Sequence, residues 1–320
     1  MPGTLARFVL ARCLYGSVSL LIVSAVVFLM LEILPGDVAS RVLGRNPNPE
    51  ALAALRERFG LDQPALLRYL QWLGGVVTGD FGRSMISGRA VTTILAGPLG
   101  NTLALSVFAL AIYVPVAFGV ATVQALNRGR SIDHALSVAT LVVAAIPDFL
   151  MATGLLLFLA MGLGLFPIRS MVPPGADLWT WLQAVALPAL TLALVMAVYA
   201  IRILRESLID ALNSEHVRAA ELRGLGPRRV LMRYALPTAL VPSINVTALN
   251  MSYLIGGVVI VEKVFNYPGF GSLSVDAFQQ RDVPVIEATV LAAAAIFIAV
   301  NLLADLLALM LNPRLRDARA

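Results

Sequence analysis

The chain has one cysteine and two histidines among its 320 residues. Cys13 cannot form an internal disulfide and reads as a small hydrophobe at the start of an apolar run. His134 and His216 stand far apart and are too few for a zinc centre, which takes about four Cys or His ligands. Lysine is nearly missing as well: 23 of the 24 basic residues are Arg, and Lys263 is the exception. A phosphate-cradling loop needs Gly-x4-Gly-Lys-Ser/Thr, and Lys263 follows Val261-Glu262 instead. Nucleotide hydrolysis by that route is excluded in this chain, so such an energy source has to come from a partner. Charged residues make up 13% of the sequence, about half the roughly 25% of soluble domains. Hydrophobic residues make up 59%, and the mean hydropathy is +0.84. These values exclude disorder, a disulfide scaffold and a typical cytosolic enzyme. They leave an integral membrane protein.

Apolar runs of about 20 residues match a hydrocarbon core roughly 30 Å thick. Six occur, over residues 13–34, 103–126, 135–165, 184–204, 240–261 and 285–311. The first is longer than a signal-peptide core of about 7–15 residues. It runs into Leu34-Pro35-Gly36-Asp37 without a small-x-small cleavage site, so it reads as an uncleaved span. The net charge of +5 would suit nucleic acid, but cytoplasmic loops of membrane proteins also accumulate Arg. The N-terminus, the loops after runs two and four, and the C-terminal tail together hold fourteen basic residues. The loops after runs three and five hold three: Arg169, Lys263 and Arg281. Both termini are therefore expected in the cytoplasm, with no nucleic-acid partner. The first loop is about 65 residues long, and loops beyond about 60 escape the charge rule.

That loop has structure of its own. Pro47-Asn48-Pro49-Glu50 reads as a helix start, followed by an amphipathic stretch over 51–59 that Gly60 stops. Asp62 is expected to cap a second helix over 63–77, and Gly79-Asp80-Phe81-Gly82 reads as a turn. The expected organisation is an N-terminus and first span over 1–34, and an outer helical loop over 35–102. A five-helix core over 103–311 includes a cytoplasmic loop at 205–237, and a tail covers 312–320.

No catalytic constellation appears. Acids within the runs are few: Glu32, Asp148, Glu287 and Asp305. Asp148 follows Pro147 and reads either as a helix-cap residue at a Pro-broken turn or as a group lining a translocation path. Pro115, Pro147, Pro188 and Pro242 free backbone carbonyls, which neighbours or a wet cavity must satisfy. Asn245, Thr247, Asn250 and Ser252 gather in the fifth run. They serve either interhelical hydrogen bonds or a pore-lining face, since Asn245 and Ser252 share one helical face.

The most informative segment runs Glu215-His216-Val217-Arg218-Ala219-Ala220-Glu221-Leu222-Arg223-Gly224-Leu225-Gly226-Pro227 and on to Leu236-Pro237. It reads as two short helices about a Gly-Leu-Gly-Pro hinge. Gly224 or Gly226 supplies a positive-φ cap, and Pro227 suits a first helical turn. Val217, Ala220 and Leu222 give the first helix an apolar side, and small Ala219 and Ala220 permit close approach by another surface. On the residues alone, the loop is either a docking element or a solvated basic loop that fixes topology.

This loop resembles the coupling loop of ABC importer permeases, whose pattern is Glu-Ala-Ala-x3-Gly-x9-Ile-x-Leu-Pro. Arg218-Ala219-Ala220-x3-Gly224-x9-Tyr234-x-Leu236-Pro237 keeps every spacing, with Arg218 in place of Glu and Tyr234 in place of Ile. Phe28–Asp37, Gly60-Leu61-Asp62-Gln63-Pro64, Tyr69, Trp72-Leu73 and Gly79-Asp80-Phe81-Gly82-Arg83-Ser84 resemble the dipeptide/oligopeptide "B"-type subunits of that family. So do Val261–Gly271, Arg281-Asp282-Val283-Pro284 and Asn312-Pro313-Arg314-Leu315-Arg316. The resemblance covers nearly the whole chain.

It implies an all-α polytopic membrane protein of the type I importer permease kind, with six transmembrane helices and an outer helical subdomain, in the cell's inner membrane. It also implies a homologous second permease subunit, two ATPase subunits that bind ATP and Mg, and an extracytoplasmic solute-binding protein. This chain itself would carry no cofactor. Coupling to the ATPase would fall to Glu215, Arg218, Ala219, Ala220, Glu221, Gly224, Pro227, Leu236 and Pro237. The translocation path would draw on Asp148, Asn245, Asn250 and Ser252. The expected cargo is a di- or oligopeptide, with nickel chelates or glutathione as alternatives. A secondary transporter driven by protons through Asp148 or Glu287 is the reading from another class.

Overall fold

The computed structural model describes residues 2–33, 49–58, 62–173, 175–240, 242, 247 and 258–311. Those residues are mostly helical, joined by turns and irregular segments such as 163–173, with one isolated bridge between Arg83 and Ala90. In chain order the helices are α1 (Pro2–Ile33), α2 (Pro49–Arg58), α3 (Ala65–Thr78), α4 (Val91–Leu126), α5 (Ser131–Ala145) and α6 (Asp148–Leu155). They continue with α7 (Leu178–Leu212), α8 (Glu215–Leu222), α9 (Pro227–Val230), α10 (Phe270–Gln280) and α11 (Val283–Leu311). Two π-helical segments, Leu156–Gly162 and Leu231–Ala235, extend α6 and α9.

Among the described residues, α1, α4, α7 and α11 are long and apolar enough to cross a membrane. Helices α5 and α6 make a further crossing if the pair is one span. The third apolar run is thus two helices rather than one, meeting at a bend of 105°. Ile146 (φ −86°, ψ 120°) and Pro147 (φ −57°, ψ 145°) are both extended. Proline disfavours helical geometry in the residue before it, so two consecutive non-helical residues redirect the chain. The fifth run lies mostly outside the described residues, as do Leu34–Asp37, Gly60, Leu61 and the tail from 312.

Helix ends depart from the hydropathy reading. Helix α4 starts at Val91, before the expected 103, because Thr92, Thr93, Gly97 and Asn101 interrupt the apolar run without stopping a helix. Helix α7 extends to Leu212, so Arg202 and Arg205 belong to the helix and not to a loop. Asp62 does not cap α3. Pro64 holds that position, and its carbonyl accepts from the Leu67 and Arg68 amides at 2.9 and 3.2 Å. Gly79 closes α3 in the left-handed region (φ 83°), and the Gly82 amide donates to Asp80 Oδ1.

The chain divides into two units. One comprises Met1–Thr102 with Pro268–Ile298. Its core gathers Val91, Leu95, Phe270, Ala277, Val285, Ile286 and Ala288. Helix α3 lies on α1 through a Ser24 Oγ–Tyr69 Oη hydrogen bond (2.9 Å), a Phe28–Tyr69 ring contact and an Arg68–Glu32 ion pair. A Cβ on Gly16 would meet Ile298 Cγ2 at 2.8 Å, so glycine is what permits α1 to approach α11. Ser84 Oγ donates to Asp282 Oδ2, and the Met85 amide donates to Oδ1 at 3.0 Å. These bonds fasten the turn after α3 to the start of α11.

The other unit comprises Leu103–Tyr267 with Ala299–Ala320. Helix α4 sends Leu105, Ala109, Tyr113, Ala117, Ala121 and Ala125 into its core, four residues apart along one face. Small residues let helices approach closely where lipid offers no hydrophobic drive. The apolar window of α7 is 67% buried, against 11% for α1. Helix α7 is therefore the centre of its unit, while the exposed Leu, Ile and Val of α1 suit acyl chains.

Candidate functional site

The site is built on the end of α7. Asn213 caps that helix through a bond from its amide to the Ile209 carbonyl, and Ser214 opens α8 in an extended conformation. The Ser214 hydroxyl donates back to the Ala211 carbonyl. Only these two residues separate α7 from α8, so the short helix is a continuation of the long one turned at a corner.

Helix α8 buries Val217 and Ala220 and leaves Glu215, Arg218, Ala219 and Glu221 exposed. The two alanines therefore divide their work: Ala220 packs within the chain and Ala219 faces outward. Leu222 does not join the buried side; it is 86% exposed. Five residues past Val217, it points about 140° away around a helix of 3.6 residues per turn. Gly224 takes the left-handed conformation (φ 76°) and donates to the Glu221 carbonyl at 2.8 Å. Gly226 instead caps α9 at φ −64°, with Pro227 in the first turn. Its carbonyl accepts from the Arg229 and Val230 amides.

Helix α9 passes into the π-helical turn Leu231–Ala235, where the Leu236 amide reaches back to the Leu231 carbonyl. Pro237 follows in the helix without an N–H and would crowd the carbonyl four residues before it. The wider turn relieves that conflict. Val230 and Ala235 are buried, Leu236 is half-buried and Pro237 is exposed. The outward face of α8 and α9 combines exposed Arg218, Arg223, Arg228, Arg229 and Arg233 with Leu222 and Met232. An open depression of about 660 Å³ lies at its α9 end, lined by Gly226, Pro227, Arg228, Arg229, Met232 and Arg233. Exposed guanidinium groups around apolar side chains suit a partner surface that offers carboxylates around an apolar cleft.

Asp148 stands half-buried in the first turn of α6, directly after the Pro147 break. Asn245, Asn250 and Ser252 lie outside the described residues. Thr247 is described, and its hydroxyl pairs with Tyr113 Oη of α4 at 3.0 Å, an interhelical hydrogen bond. His134 and His216 are both exposed. Within the Val261–Gly271 segment, Glu262, Phe265 and Tyr267 are buried. Burial, and then the Glu262 charge, hold the Tyr267 phenol above its ordinary range.

Sequence reading missed the ion pair between Asp133 of α5 and Arg205 of α7. The Arg205 Nε and Nη2 donate to Asp133 Oδ1 and Oδ2 at 2.9 and 2.7 Å, and the Gly129 amide adds a bond at 3.0 Å. Asp133 is 2% exposed. Arg205 stood beyond the end of an apolar run and looked like a loop cation. An acid at the third residue of an apolar helix was the available signal.

Residues 114–317 match the family described as "Binding-protein-dependent transport system inner membrane component". Residues 5–106 match the N-terminal region of such membrane components. A probable peptide ABC transporter permease protein of Sinorhizobium fredii is 30% identical over 97% of this chain and 99% of its own length. A putative peptide transport system permease protein of Brucella abortus is 33% identical over 98% and 99%. A glutathione transport system permease protein of Salmonella typhi is 35% identical over 97% and 99%.

Proposed function

This chain belongs to the binding-protein-dependent transport system inner membrane components and is a multi-pass ABC permease subunit; from that premise we propose that it imports di- or oligopeptides at the expense of ATP hydrolysed by partner subunits. The observation that carries the cargo is the match, over almost the full length, to permeases named for peptide transport. Glutathione is the second reading, favoured by the 35% identity to a permease named for it. Both cargoes present amide bonds between charged ends, so one path with few fixed charges suits either.

In this reading the chain forms half of the path, with a homologous permease as the other half. An extracytoplasmic solute-binding protein delivers the cargo. Both termini and the α8–α9 face are cytoplasmic, and that face docks in a cleft of the ATPase. Ala219 and Leu222 enter the cleft, Glu215, Arg218 and Glu221 border it, and Gly224 and Pro227 set the angle between the short helices. Leu236 and Pro237 fix where α9 leaves the docked pair. Asp148, Asn245, Asn250 and Ser252 remain the proposed path residues. ATP binding biases a rigid-body switch between inward and outward access.

The test is purification of the tagged chain from its native membrane, followed by uptake into proteoliposomes. The expected result is a complex with a second permease and ATPase, taking up labelled dipeptide in competition with unlabelled di- and tripeptides. Competition by glutathione alone would favour the second reading. Uptake that persists without any ATPase would overturn the proposal.

A further inference from the structure

The proposed docking face must pass motion to the spans, and most contacts available for that are apolar. Apolar helix contacts permit small shear shifts and do not fix an angle by themselves. Among the described residues, the fork between Arg205 and Asp133 is a contact that does not slide. A bidentate guanidinium–carboxylate pair fixes angle as well as distance. Asp133 is 2% exposed while the Arg205 side chain keeps 25% of its surface, so parting them would leave the carboxylate unpaired where water reaches it poorly.

Its position on the chain is what gives it meaning. Arg205 sits on α7 two turns before the corner at Asn213 and Ser214, beyond which lies α8. Asp133 sits in the first turn of α5, whose other end is the Ile146–Pro147 break and the 105° bend into α6. The Asp133 carboxylate also holds the preceding turn through the Gly129 amide. A second polar tie lies nearby, where Gln124 Nε2 of α4 donates to Ser137 Oγ of α5 at 3.1 Å. The junction of α4 and α5 is thus anchored to α7 at one point that resists both rotation and translation.

We infer that Asp133 and Arg205 are a positioning pair, which makes α5 and the bent span move with α7 when the ATPase displaces α8. The inference rests on the docking reading of α8 given above. Neither residue touches cargo or nucleotide. Their role is to keep the stroke at α8 from being lost as slippage between helices.

The experiment measures labelled dipeptide, or labelled glutathione if that is what the wild-type complex takes up, imported per ATP hydrolysed by the assembled complex in proteoliposomes. Arg205→Lys keeps the charge but loses the fork. It is expected to assemble, to hydrolyse ATP, and to import about tenfold less cargo per ATP. Asp133→Leu with Arg205→Met removes both charges, leaving neither unpaired, and is expected to show a similar loss if Arg205→Lys assembles poorly. In a cycle of Asp133→Asn, Arg205→Lys and the double variant, the double loss should be no greater than the larger single loss. A merely structural role would lower the amount of complex and leave the ratio untouched. A wild-type ratio in the assembled variants, or losses that multiply, would overturn the inference. Ala219→Arg serves as the control for the docking reading and should abolish ATPase co-purification. If it does not, the docking reading fails; if it does while the ratio in Arg205→Lys stays normal, only the positioning pair fails.

Discussion

At the scale of the residue, the conformation of Gly224 is the clearest constraint on the proposed docking face. Its φ of 76° lies where an L side chain is strained, yet a Cβ there would meet nothing within 4 Å. The penalty for replacing it is therefore conformational, about 1–2 kcal/mol, and not steric. Asn tolerates the left-handed region better than β-branched residues do. Gly224→Asn is expected to retain most uptake and Gly224→Val to lose most of it, with both reaching the membrane in wild-type amounts. Uptake assays scaled to membrane expression check this. Equal loss in both variants would mean that the glycine matters for close approach by the partner and not for its φ.

At the scale of the element, the tie between the turn after α3 and the start of α11 invites a parallel test. Asp282 accepts from Ser84 Oγ and the Met85 amide, and Ser84 Oγ in turn accepts from the Ser87 amide at 2.9 Å. Asp282→Ala would strand a hydroxyl and an amide, at a cost of about 2 kcal/mol. Proteolysis of the purified protein should then cut residues 79–90 sooner, and a cutting rate equal to wild type would show that the tie is not holding the turn. Arg83-Ser84 and Arg281-Asp282 read in the sequence as two separate motifs. Their meeting is tertiary, and no local pattern announces it. The same limit explains the bent third span, since hydropathy measures how long an apolar run is and not where it turns. Pro147 was visible, but so was Pro188, which sits inside an unbroken α7. What separates them is that the residue before Pro147 leaves the helix as well. The α8–α9 corner was more legible, because Gly224 and Pro227 act through their own backbone preferences. Leu222 was misread because apolar content was counted without following the helical angle. Asp133 was overlooked because its partner lies 72 residues away.

At the scale of the whole molecule, the proposed mechanism depends on which side of the membrane the α8–α9 face occupies. The charge reading sets fourteen basic residues, in the termini, the loops and the end of α7, on the side expected to carry this face, against three in the short loops expected opposite. Cytoplasmic loops gain Arg because they resist transfer across the membrane. The sparse cysteine content makes this directly measurable, because Cys13→Ser leaves a cysteine-free chain. On that background, Gln71→Cys on the exposed side of α3 and Arg128→Cys in the turn between α4 and α5 each offer one accessible thiol. With a membrane-impermeant maleimide, Gln71→Cys is expected to label in cells whose inner membrane is sealed. Arg128→Cys should label only after that membrane is opened. The reverse pattern would put the Arg-rich face outside, where no ATP-hydrolysing partner could reach it. Docking at α8 and transmission through Arg205 would then fail together, while membership of the permease family would stand. The labelling pattern therefore bears on the mechanism independently of the cargo, and it requires neither the partner subunits nor a transport assay.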